Sequence, residues 1–399
     1  RLSAHEKGDK YPYTIPDSKS FTRPLIRAPE SSCPQRRFTA VKKKAVIFSI
    51  LLLLLLSACS LNQPASAGDG SQSEVSDGQV LNAPTATPGS MSPQGKNDHM
   101  MEPIGGANVE LATASKGGQP LAYQEDNGVK VFELTTKAVQ WELTEGVSIT
   151  ALTYNGTVPG PEIRVTEGDQ VRVVVKNALD EPTTVHFRGV ELPNAMDGVP
   201  DVTQKAIQPG ESFTYEFEAR PVGTFWYHSH FESDVQVSAG LYAPFIIEPK
   251  ENVQELDLDV TLMLGEWLVI DGKTYAPMPM AGMEPNYFSI NGKVYPSTET
   301  ITVTKGQRVR LRFVGTGQFA HPMHLHGMPF KIVATDGHPV PEAAQLTKDT
   351  VNVAPGERYD VEFIANEPGQ WMLHCHILHH VTNDNVEPGG LMLVVNVVE

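Results

Sequence analysis

The second half of this chain repeats the first. The segment "QPGESFTYEFEARPVGTFWYHSH" (208–230) returns as "APGERYDVEFIANEPGQWMLHCH" (354–376), and "HFRG" (186–189) returns as "HLHG" (324–327). A repeat of roughly 140 residues is large enough to be a small domain rather than a single pair of strands or helices. The sequence therefore predicts two copies of one fold in tandem.

Both copies have the alternation of apolar and polar residues that half-buried strands show. The alternating apolar residues are Ile163, Val165, Val171, Val173 and Val175 in the first copy and Ile301, Val303, Val309, Leu311 and Phe313 in the second. No stretch after residue 120 has a sustained helical period. We predict an all-β fold with two tandem Greek-key β-sandwich domains, at residues 121–249 and 250–399.

A targeting segment precedes the repeat. The run "VKKKAVIFSILLLLLLSACS" (41–60) begins with basic residues, continues with apolar residues and ends near Cys59. Its apolar part is shorter than the about 20 residues that a membrane-spanning helix needs, but it fits a signal peptide. Because its end resembles the lipobox of bacterial lipoproteins, we expect residues 41–59 to be a lipoprotein signal peptide with Cys59 lipidated. The protein would be exported, either lipid-anchored to the outer face of the bacterial cytoplasmic membrane or periplasmic.

Two further segments lie outside the predicted domains. Residues 60–120 are rich in Ser, Gly, Pro, Asn and Gln, which is typical of a flexible linker. We expect residues 1–40 to lie upstream of the natural translation start. The net charge of −16 argues against nucleic acid as a partner and against electrostatic docking on anionic lipid, so membrane contact would depend on acyl chains.

Cysteine usage points away from disulfides. Of the cysteines Cys33, Cys59 and Cys375, only Cys375 lies within the repeat. An exported domain with a single cysteine cannot form an internal disulfide, so this thiol needs another role.

Ten of the 13 histidines fall in short clusters within the repeat. These ten are His186, His228, His230, His321, His324, His326, His374, His376, His379 and His380. In a strand, the spacing His-x-His places both imidazoles on one face. Paired histidines in this number predict metal sites rather than isolated structural histidines.

Cys375 narrows the choice of metal. One thiolate and two imidazoles, from His321, Cys375 and His380, form the His₂Cys set that is typical of a blue-copper electron-transfer site. The remaining histidines provide an all-imidazole site that suits copper or zinc. Zinc is the alternative metal, but it would be redox-silent and would leave the His-Cys-His adjacency without a purpose.

Four segments resemble the copper-binding signatures of multicopper oxidases of the laccase type: "PNAMDGVPDVTQ" (193–204), "WYHSH" (226–230), "HPMHLHG" (321–327) and "HCHILHH" (374–380). The resemblance covers residues 121–399 and implies two cupredoxin-like domains, as in the two-domain small laccases. It implies a copper-dependent oxidase that takes electrons from a phenolic, aromatic or low-valent metal-ion donor and reduces O₂ to water.

The resemblance also implies up to four copper ions per chain. The type 1 copper would be held by His321, Cys375 and His380. The type 2 copper would be held by His186 and His324, and the type 3 pair by His228, His230, His326, His374 and His376. Electrons would cross from Cys375 to its flanking histidines through a few bonds of backbone.

The first copy has no type 1 ligands. Thr183 and Ser229 stand where the second copy has His321 and Cys375, which distinguishes the chain from copper nitrite reductases. In two-domain relatives the cluster forms between domain 1 of one subunit and domain 2 of the next. A head-to-tail contact that closes makes a ring, so we predict a homotrimer.

Three positions depart from the family pattern or leave it open. The axial type 1 position is Leu391 or Met392. Asp197 matches an acidic residue that helps proton delivery in relatives. Arg188 occupies the place of a type 3 histidine, the counterpart of His326, and arginine has no lone pair with which to bind a metal. We therefore expect an incomplete type 3 site.

Alternatives remain for the function and for the donor. An electron-transfer or copper-handling protein with an impaired cluster is one alternative, and a copper nitrite reductase is another. Thioethers are soft ligands for Cu(I), so the methionines of "MPMAGM" (278–283) and of "HMM" (99–101) could favour a cuprous-ion donor, although methionine is more often a gap-filling side chain.

Overall fold

The computed structural model describes residues 102–105, 109–251 and 254–399. These residues belong to one compact unit, Ala86–Glu399. Nearly every element in the described part is a strand, which confirms the all-β prediction. No helix in these ranges has the length and apolar character needed to cross a membrane. The predictions for residues 1–40, for the signal peptide 41–59 and for its lipidated Cys59 concern residues outside the described ranges.

The first β-sandwich is built from ten strands. They are β1 (Glu110–Leu111), β2 (Gln124–Asp126), β3 (Val129–Thr144), β4 (Val147–Tyr154), β5 (Ile163–Thr166), β6 (Gln170–Asn177), β7 (His186–Arg188), β8 (Ser212–Glu218), β9 (Gly223–His228) and β10 (Tyr242–Glu248). The larger sheet has the order β1-β3-β6-β8, with β2 and β4 also paired to β3. The smaller sheet has the order β5-β10-β9-β7, so β7 lies at its edge.

The second β-sandwich follows the same plan. Its strands are β11 (Leu258–Ile270), β12 (Lys273–Tyr275), β13 (Tyr287–Ile290), β14 (Ile301–Thr304), β15 (Arg308–Gly315), β16 (His321–Leu325), β17 (Phe330–Thr335), β18 (His338–Pro339), β19 (Thr347–Lys348), β20 (Thr350–Val353), β21 (Arg358–Ile364), β22 (Gly369–Cys375) and β23 (Met392–Val398). The larger sheet has the order β12-β11-β15-β21-β17-β18, with β13 on β11 and β19 on β17. The smaller sheet has the order β14-β23-β22-β16-β20.

Helical structure in the described residues is limited to single turns. One short α-helix, α1, spans Ser233–Gln236. The 3₁₀ turns are Asn194–Met196, Pro279–Ala281, Glu342–Ala344 and Leu378–Val381.

The period-2 pattern accounts for the two cores. All ten alternating residues named from the sequence are buried, five in each sandwich. Burial of a Val, Ile, Leu or Phe side chain contributes about 1.5–3 kcal/mol each, so these strands are held mainly by their inward faces. The predicted boundary between residues 249 and 250 falls in the connection from β10 to β11.

A third apolar cluster joins the two sandwiches, and we call it the seam. It contains Val139, Trp141, Leu143, Ile149, Ala151, Val158, Trp226, Val237, Tyr242, Met263, Trp267, Tyr287, Val294 and Val314. Trp141 Nε1 donates to Gly292 O across it at 2.6 Å. The relative position of the sandwiches therefore depends on apolar packing as well as on the covalent connection.

The linker prediction is wrong for residues 109–120. Glu110–Leu111 forms a strand parallel to β3, and Lys116 Nζ lies 2.6 Å from Glu299 Oε1 of the second sandwich. Composition did not show this because strand pairing uses backbone N–H and C=O groups, which a polar segment possesses as fully as an apolar one.

A buried ionic network also joins the two sandwiches. Arg312 Nη1 donates to Asp360 Oδ2 at 3.0 Å and to Thr224 Oγ1 of the first sandwich at 2.6 Å. Thr224 Oγ1 donates in turn to Asp360 Oδ1 at 2.7 Å. Arg312 and Asp360 are each 5% exposed, so each side chain depends on the other for a partner in place of water.

Asp360→Asn is expected to lower the free energy of unfolding by about 2–3 kcal/mol, because it removes one charged partner of a buried arginine that keeps Asp259 as its other. Chemical denaturation measures the loss. Asp126→Asn is the matched control, since the exposed Asp126–Arg172 pair is screened by solvent and should contribute little. Equal losses for both variants would show that Asp360 has no special role.

Candidate metal centres

A thiol and two imidazoles converge in the core of the second sandwich. His321 Nδ1 and His380 Nδ1 are 3.1 Å apart, and Cys375 Sγ lies 4.0 Å from the first and 3.6 Å from the second. His321 and Cys375 are 0% exposed and His380 is 3% exposed. These three donor atoms lie within 4.8 Å of one another, a spacing that fits a single metal ion.

Strand register brings this group together. β16 pairs with β22 so that Met323 lies opposite Cys375, and His321, two residues before Met323, points to the same face as Met323. The 3₁₀ turn Leu378–Val381 then returns the chain and places His380 beside the thiol.

Burial shifts the pKa values of two of these donors, His380 and Cys375. Burial, with a smaller contribution from His321, lowers the pKa of His380 to about 3. Burial, with a smaller contribution from Glu266, raises the pKa of the Cys375 thiol to about 12. His380 is therefore a neutral imidazole with a lone pair, Cys375 carries its thiol proton, and a metal cation would displace that proton when it binds.

The sequence analysis missed Glu266, a buried partner of this group. Glu266 Oε1 accepts from His321 Nε2 at 2.9 Å and Oε2 accepts from the backbone N–H of Gln318 at 2.7 Å. Because Nε2 of His321 is the donor, its Nδ1 keeps the lone pair that faces Cys375. The one sequence signal was an acid inside the apolar run "VTLMLGEWLVI" of β11. Phe288, also missed, stacks on His380 with ring centroids 4.1 Å apart.

The two axial candidates lie on different faces. β22 and β23 pair so that Met392 lies opposite His374, and Cys375 N donates to Leu391 O at 3.0 Å. Since opposed residues of an antiparallel pair share a face, Leu391 is on the side of Cys375 and Met392 is on the side of His374. Leu391 is 0% exposed within the same core as Cys375.

Four imidazoles form a second group on the other face of β16 and β22. Ring centroids of His324 lie 4.9 Å from His326, 5.7 Å from His374 and 5.8 Å from His376. His326 Nε2 and His374 Nε2 are 3.0 Å apart. His326 and His376 are exposed, so this group opens to the surface of the chain.

Three imidazoles form a third group on the first sandwich. The ring centroid of His186 lies 5.4 Å from His228 and 5.6 Å from His230, and the last two are 6.4 Å apart. His186 and His228 are direct cross-strand partners on β7 and β9. Within the described ranges, no hydrogen bond or ring contact joins these three histidines to the four of the second sandwich.

Backbone carbonyls set the tautomer of four of these imidazoles. The Nδ1–carbonyl pairs are His186 with Asp197 (2.8 Å), His228 with Ser229 (2.8 Å), His324 with Asp349 (2.9 Å) and His374 with Cys375 (2.9 Å). A carbonyl can only accept, so each Nδ1 is protonated and each Nε2 keeps its lone pair, as a metal ligand requires.

His228 shows that a cation fits this third group. Its Nε2 is buried and has no hydrogen-bond partner. Burial is the main reason that its pKa falls to about 3, so the ring presents a neutral, unpaired donor atom. A bound metal ion would satisfy this atom, whereas no protein group among the described residues does.

In the first sandwich, the counterparts of the thiol group contain no metal donor. Thr183 Oγ1 and Ser229 Oγ both donate to Gln236 Oε1, at 2.8 and 2.5 Å. All three side chains are fully buried. A hydroxyl–amide network thus fills the space that His321 and Cys375 fill in the second copy.

Arg188 on β7 lies opposite Trp226 on β9 and on the same face as His186. Its guanidinium packs against the second sandwich, where a Cβ on Gly356 would lie 2.6 Å from Arg188 Nη2. After burial, the positive charge of Arg188 is one of the smaller causes that lower the pKa of His228. Because Gly356 has no side chain, the guanidinium of Arg188 can occupy this space.

The remaining predicted residues lie near these groups or outside them. Asp197 Oδ1 is 3.3 Å from His186 Nδ1. His379 is exposed, next to Phe288. Met278 and Met283 face each other in a tight hairpin, with Met278 N donating to Met283 O at 2.7 Å. The methionines of segment 99–101 lie outside the described ranges.

Family models and solved structures described as copper oxidases match this chain. Two family models described as multicopper oxidase match residues 135–252 and 272–397. The Blue Copper Oxidase from Nitrosomonas europaea has a similar structure, with 36% identity, a TM-score of 0.61, and coverage of 67% of this chain and 85% of that chain. The Multicopper Oxidase mgLAC has 37% identity, a TM-score of 0.63, and coverage of 67% and 86%.

The chain matches a smaller share of a curated relative. The Multicopper oxidase MmcO of Mycobacterium tuberculosis is 31% identical over 250 residues, which is 54% of this chain and 48% of that protein. The chain spans about half the length of the curated relatives it matches.

Proposed function

The chain belongs to the multicopper oxidases, and from this we propose that it is a copper-dependent oxidase with O₂ as the electron acceptor. The observation that carries the proposal is the position of Cys375. Its sulfur lies in the buried His321–His380 group, while its neighbours His374 and His376 belong to the imidazole group on the opposite face of β22. β22 and the residue after it thus contribute donor side chains to both the thiol group and the imidazole group.

We give each residue a role that its donor set supports. His321, Cys375 and His380 would hold the type 1 copper, and Leu391 would fill the axial position without binding it. His186 and His324 would hold the type 2 copper, and His228, His230, His326, His374 and His376 would hold the type 3 pair. When bound, the copper ions would accept single electrons from a donor and deliver them to O₂.

The chain's own residues orient these ligands. Glu266 fixes the tautomer of His321, and backbone carbonyls do the same for His186, His228, His324 and His374. Asp197 lies beside His186, and in our proposal it would deliver protons there. Burial of the Cys375 group excludes water from the type 1 position.

We propose a homotrimer because the imidazoles are divided between the sandwiches. The three of the first sandwich and the four of the second form separate groups within a chain, and the second group is open to the surface. A head-to-tail ring would bring the first group of one subunit to the second group of the next.

Phenols, aromatic amines and low-valent metal ions are the donor classes that we propose. Export and a lipid anchor at Cys59 are part of the same proposal and depend on the signal-like segment 41–59.

Metal content and optical spectra test the function. Copper-loaded protein should contain close to four ions per chain, fewer if the type 3 site is incomplete, with a blue absorption band and a near-ultraviolet shoulder. It should consume O₂ with a phenolic, Cu(I) or Fe(II) donor. One copper per chain and a blue band without O₂ uptake would instead identify an electron-transfer protein.

Arg188→His is expected to raise both copper content and O₂ uptake, because it supplies the imidazole that the type 3 site lacks. Metal analysis and an oxygen electrode measure the two effects. Arg188→Gln is the control, since it removes the charge without adding a ligand. If the histidine variant changes neither quantity, Arg188 does not stand for a missing ligand.

Glu266→Gln is expected to weaken type 1 copper binding about 10- to 100-fold, since outer-shell partners of metal-bound histidines have effects of that size. Titration of the metal-free protein, followed at the blue band, measures the affinity. Glu299→Gln, which alters an exposed acid of the same sandwich, should leave the affinity unchanged. An unaltered affinity in the Glu266 variant would reduce this residue to a packing role.

A further inference from the structure

One of the four tryptophans of this chain differs from the other three. Those three donate the indole N–H to a protein acceptor, and the pairs are Trp141 with Gly292 O (2.6 Å), Trp267 with Ser289 Oγ (2.9 Å) and Trp371 with Glu367 O (2.8 Å). Trp226 Nε1 is buried and has no hydrogen-bond partner. A buried donor without a partner costs about 1–3 kcal/mol, so its retention calls for a physical reason.

Trp226 lies against one of the proposed copper ligands. Its ring centroid is 4.2 Å from that of His228, with 31° between the ring planes. Trp226 is 4% exposed and His228 is 7% exposed. The indole is therefore in direct contact with the imidazole whose Nε2 would bind a type 3 copper.

Tyr242 continues this contact toward the buried thiol group of the same chain. It is the cross-strand partner of His228 and belongs to the seam. Its hydroxyl oxygen lies 2.6 Å from the position that a Cβ on Gly265 would take. The next residue, Glu266, accepts the hydrogen bond of His321. Within one chain, packed and hydrogen-bonded groups thus lead from His228 to His321.

We infer that Trp226 is a redox-active side chain that exchanges single electrons with the metal site at His228. The inference rests on the proposed function. With copper bound, the indole would give one electron to the metal site during O₂ reduction and would itself be oxidised by one electron. It recovers one electron from the type 1 side through Tyr242 and the Glu266–His321 contact. No covalent bond forms or breaks at the indole.

The missing hydrogen bond explains how such a residue would survive repeated oxidation. An indole N–H can only donate, and no acceptor lies within reach of Trp226 Nε1 among the described residues. The proton therefore stays on nitrogen when the electron leaves, and one returning electron restores the original side chain. The indole of Trp226 is thus oxidised reversibly in place of the imidazole of His228, which stays undamaged.

Electron paramagnetic resonance tests the inference directly. The copper-loaded protein is grown with ring-deuterated tryptophan, fully oxidised so that copper holds no spare electrons, mixed with hydrogen peroxide, and frozen within milliseconds to seconds. We expect an organic radical whose hyperfine splitting narrows with the deuterated label. The signal should be lost in Trp226→Phe and retained in Trp141→Phe, which removes a hydrogen-bonded indole of the same seam.

A second readout is chemical damage. After many turnovers, mass spectrometry should find more oxidised His228 peptide in Trp226→Phe than in the native protein. A fully loaded native protein without a tryptophan radical, or a radical that persists in Trp226→Phe, overturns the inference alone. A protein that binds no copper at the histidines of the first sandwich overturns the proposed function as well. If Trp226→Phe fails to fold, labelling of the native chain still shows whether any tryptophan radical forms, and its absence overturns the inference.

Discussion

A Cys375→Ser variant is expected to lose its blue colour, one copper ion per chain and its donor-dependent O₂ uptake. The thiolate is the one soft ligand of the buried group, and a serine hydroxyl at the same place offers a weakly basic oxygen that copper does not favour. His374 and His376 remain, so the copper of the imidazole groups should stay. Metal analysis, the visible spectrum and an oxygen electrode measure the three effects.

Leu391→Met is the matched change at this site. The side chain at position 391 shares the face of Cys375, so a thioether there would add an axial ligand without removing another. This variant should keep its copper and its colour but show a lower reduction potential. A blue band that survives in Cys375→Ser would contradict the type 1 assignment.

Subunit complementation should restore activity to two inactive variants. His228→Ala damages the imidazole group of the first sandwich, and His376→Ala damages that of the second. If clusters form between subunits, a mixed ring contains contacts at which both contributing groups are intact. Random assembly of equal amounts should restore about one quarter of the clusters, because an intact contact needs one particular variant on each side.

Oxygen uptake of co-expressed, co-purified variants measures the recovery, and light scattering gives the oligomeric state. Co-expression of His228→Ala with His230→Ala is the control, since both changes fall in the same group and no contact becomes intact. A copper-bound monomer at micromolar concentration, or no recovery in the mixed ring, would exclude clusters at subunit interfaces.

The fold was predictable because its signals are local. Alternation of period 2 in segments such as 171–175 and 309–313 follows from strand geometry alone, and the structure buries these residues as predicted. The resemblance to multicopper oxidases was also confirmed, because it depends on short segments in which histidine and cysteine spacing is kept.

Features that depend on distant residues were not predictable in the same way. Glu266 contacts His321 across 55 positions of sequence, and no short motif links the two. The strand at Glu110–Leu111 was assigned to a linker because its backbone pairing with β3 does not show in composition. The place of the Arg188 guanidinium depends on Gly356, a residue of the other sandwich.

By itself the sequence determined the all-β repeat, the family and the residue types available to bind metal, because each is written in spacings of a few residues. Only the tertiary structure decided which donors converge and which face a side chain takes. Leu391 rather than Met392 lies on the side of Cys375 because β22 and β23 pair in one register, and a shift of one residue would exchange them. Strand alternation alone puts Trp226 on the same face as His228, but only the tertiary structure decided that its buried N–H is left without a partner among the described residues.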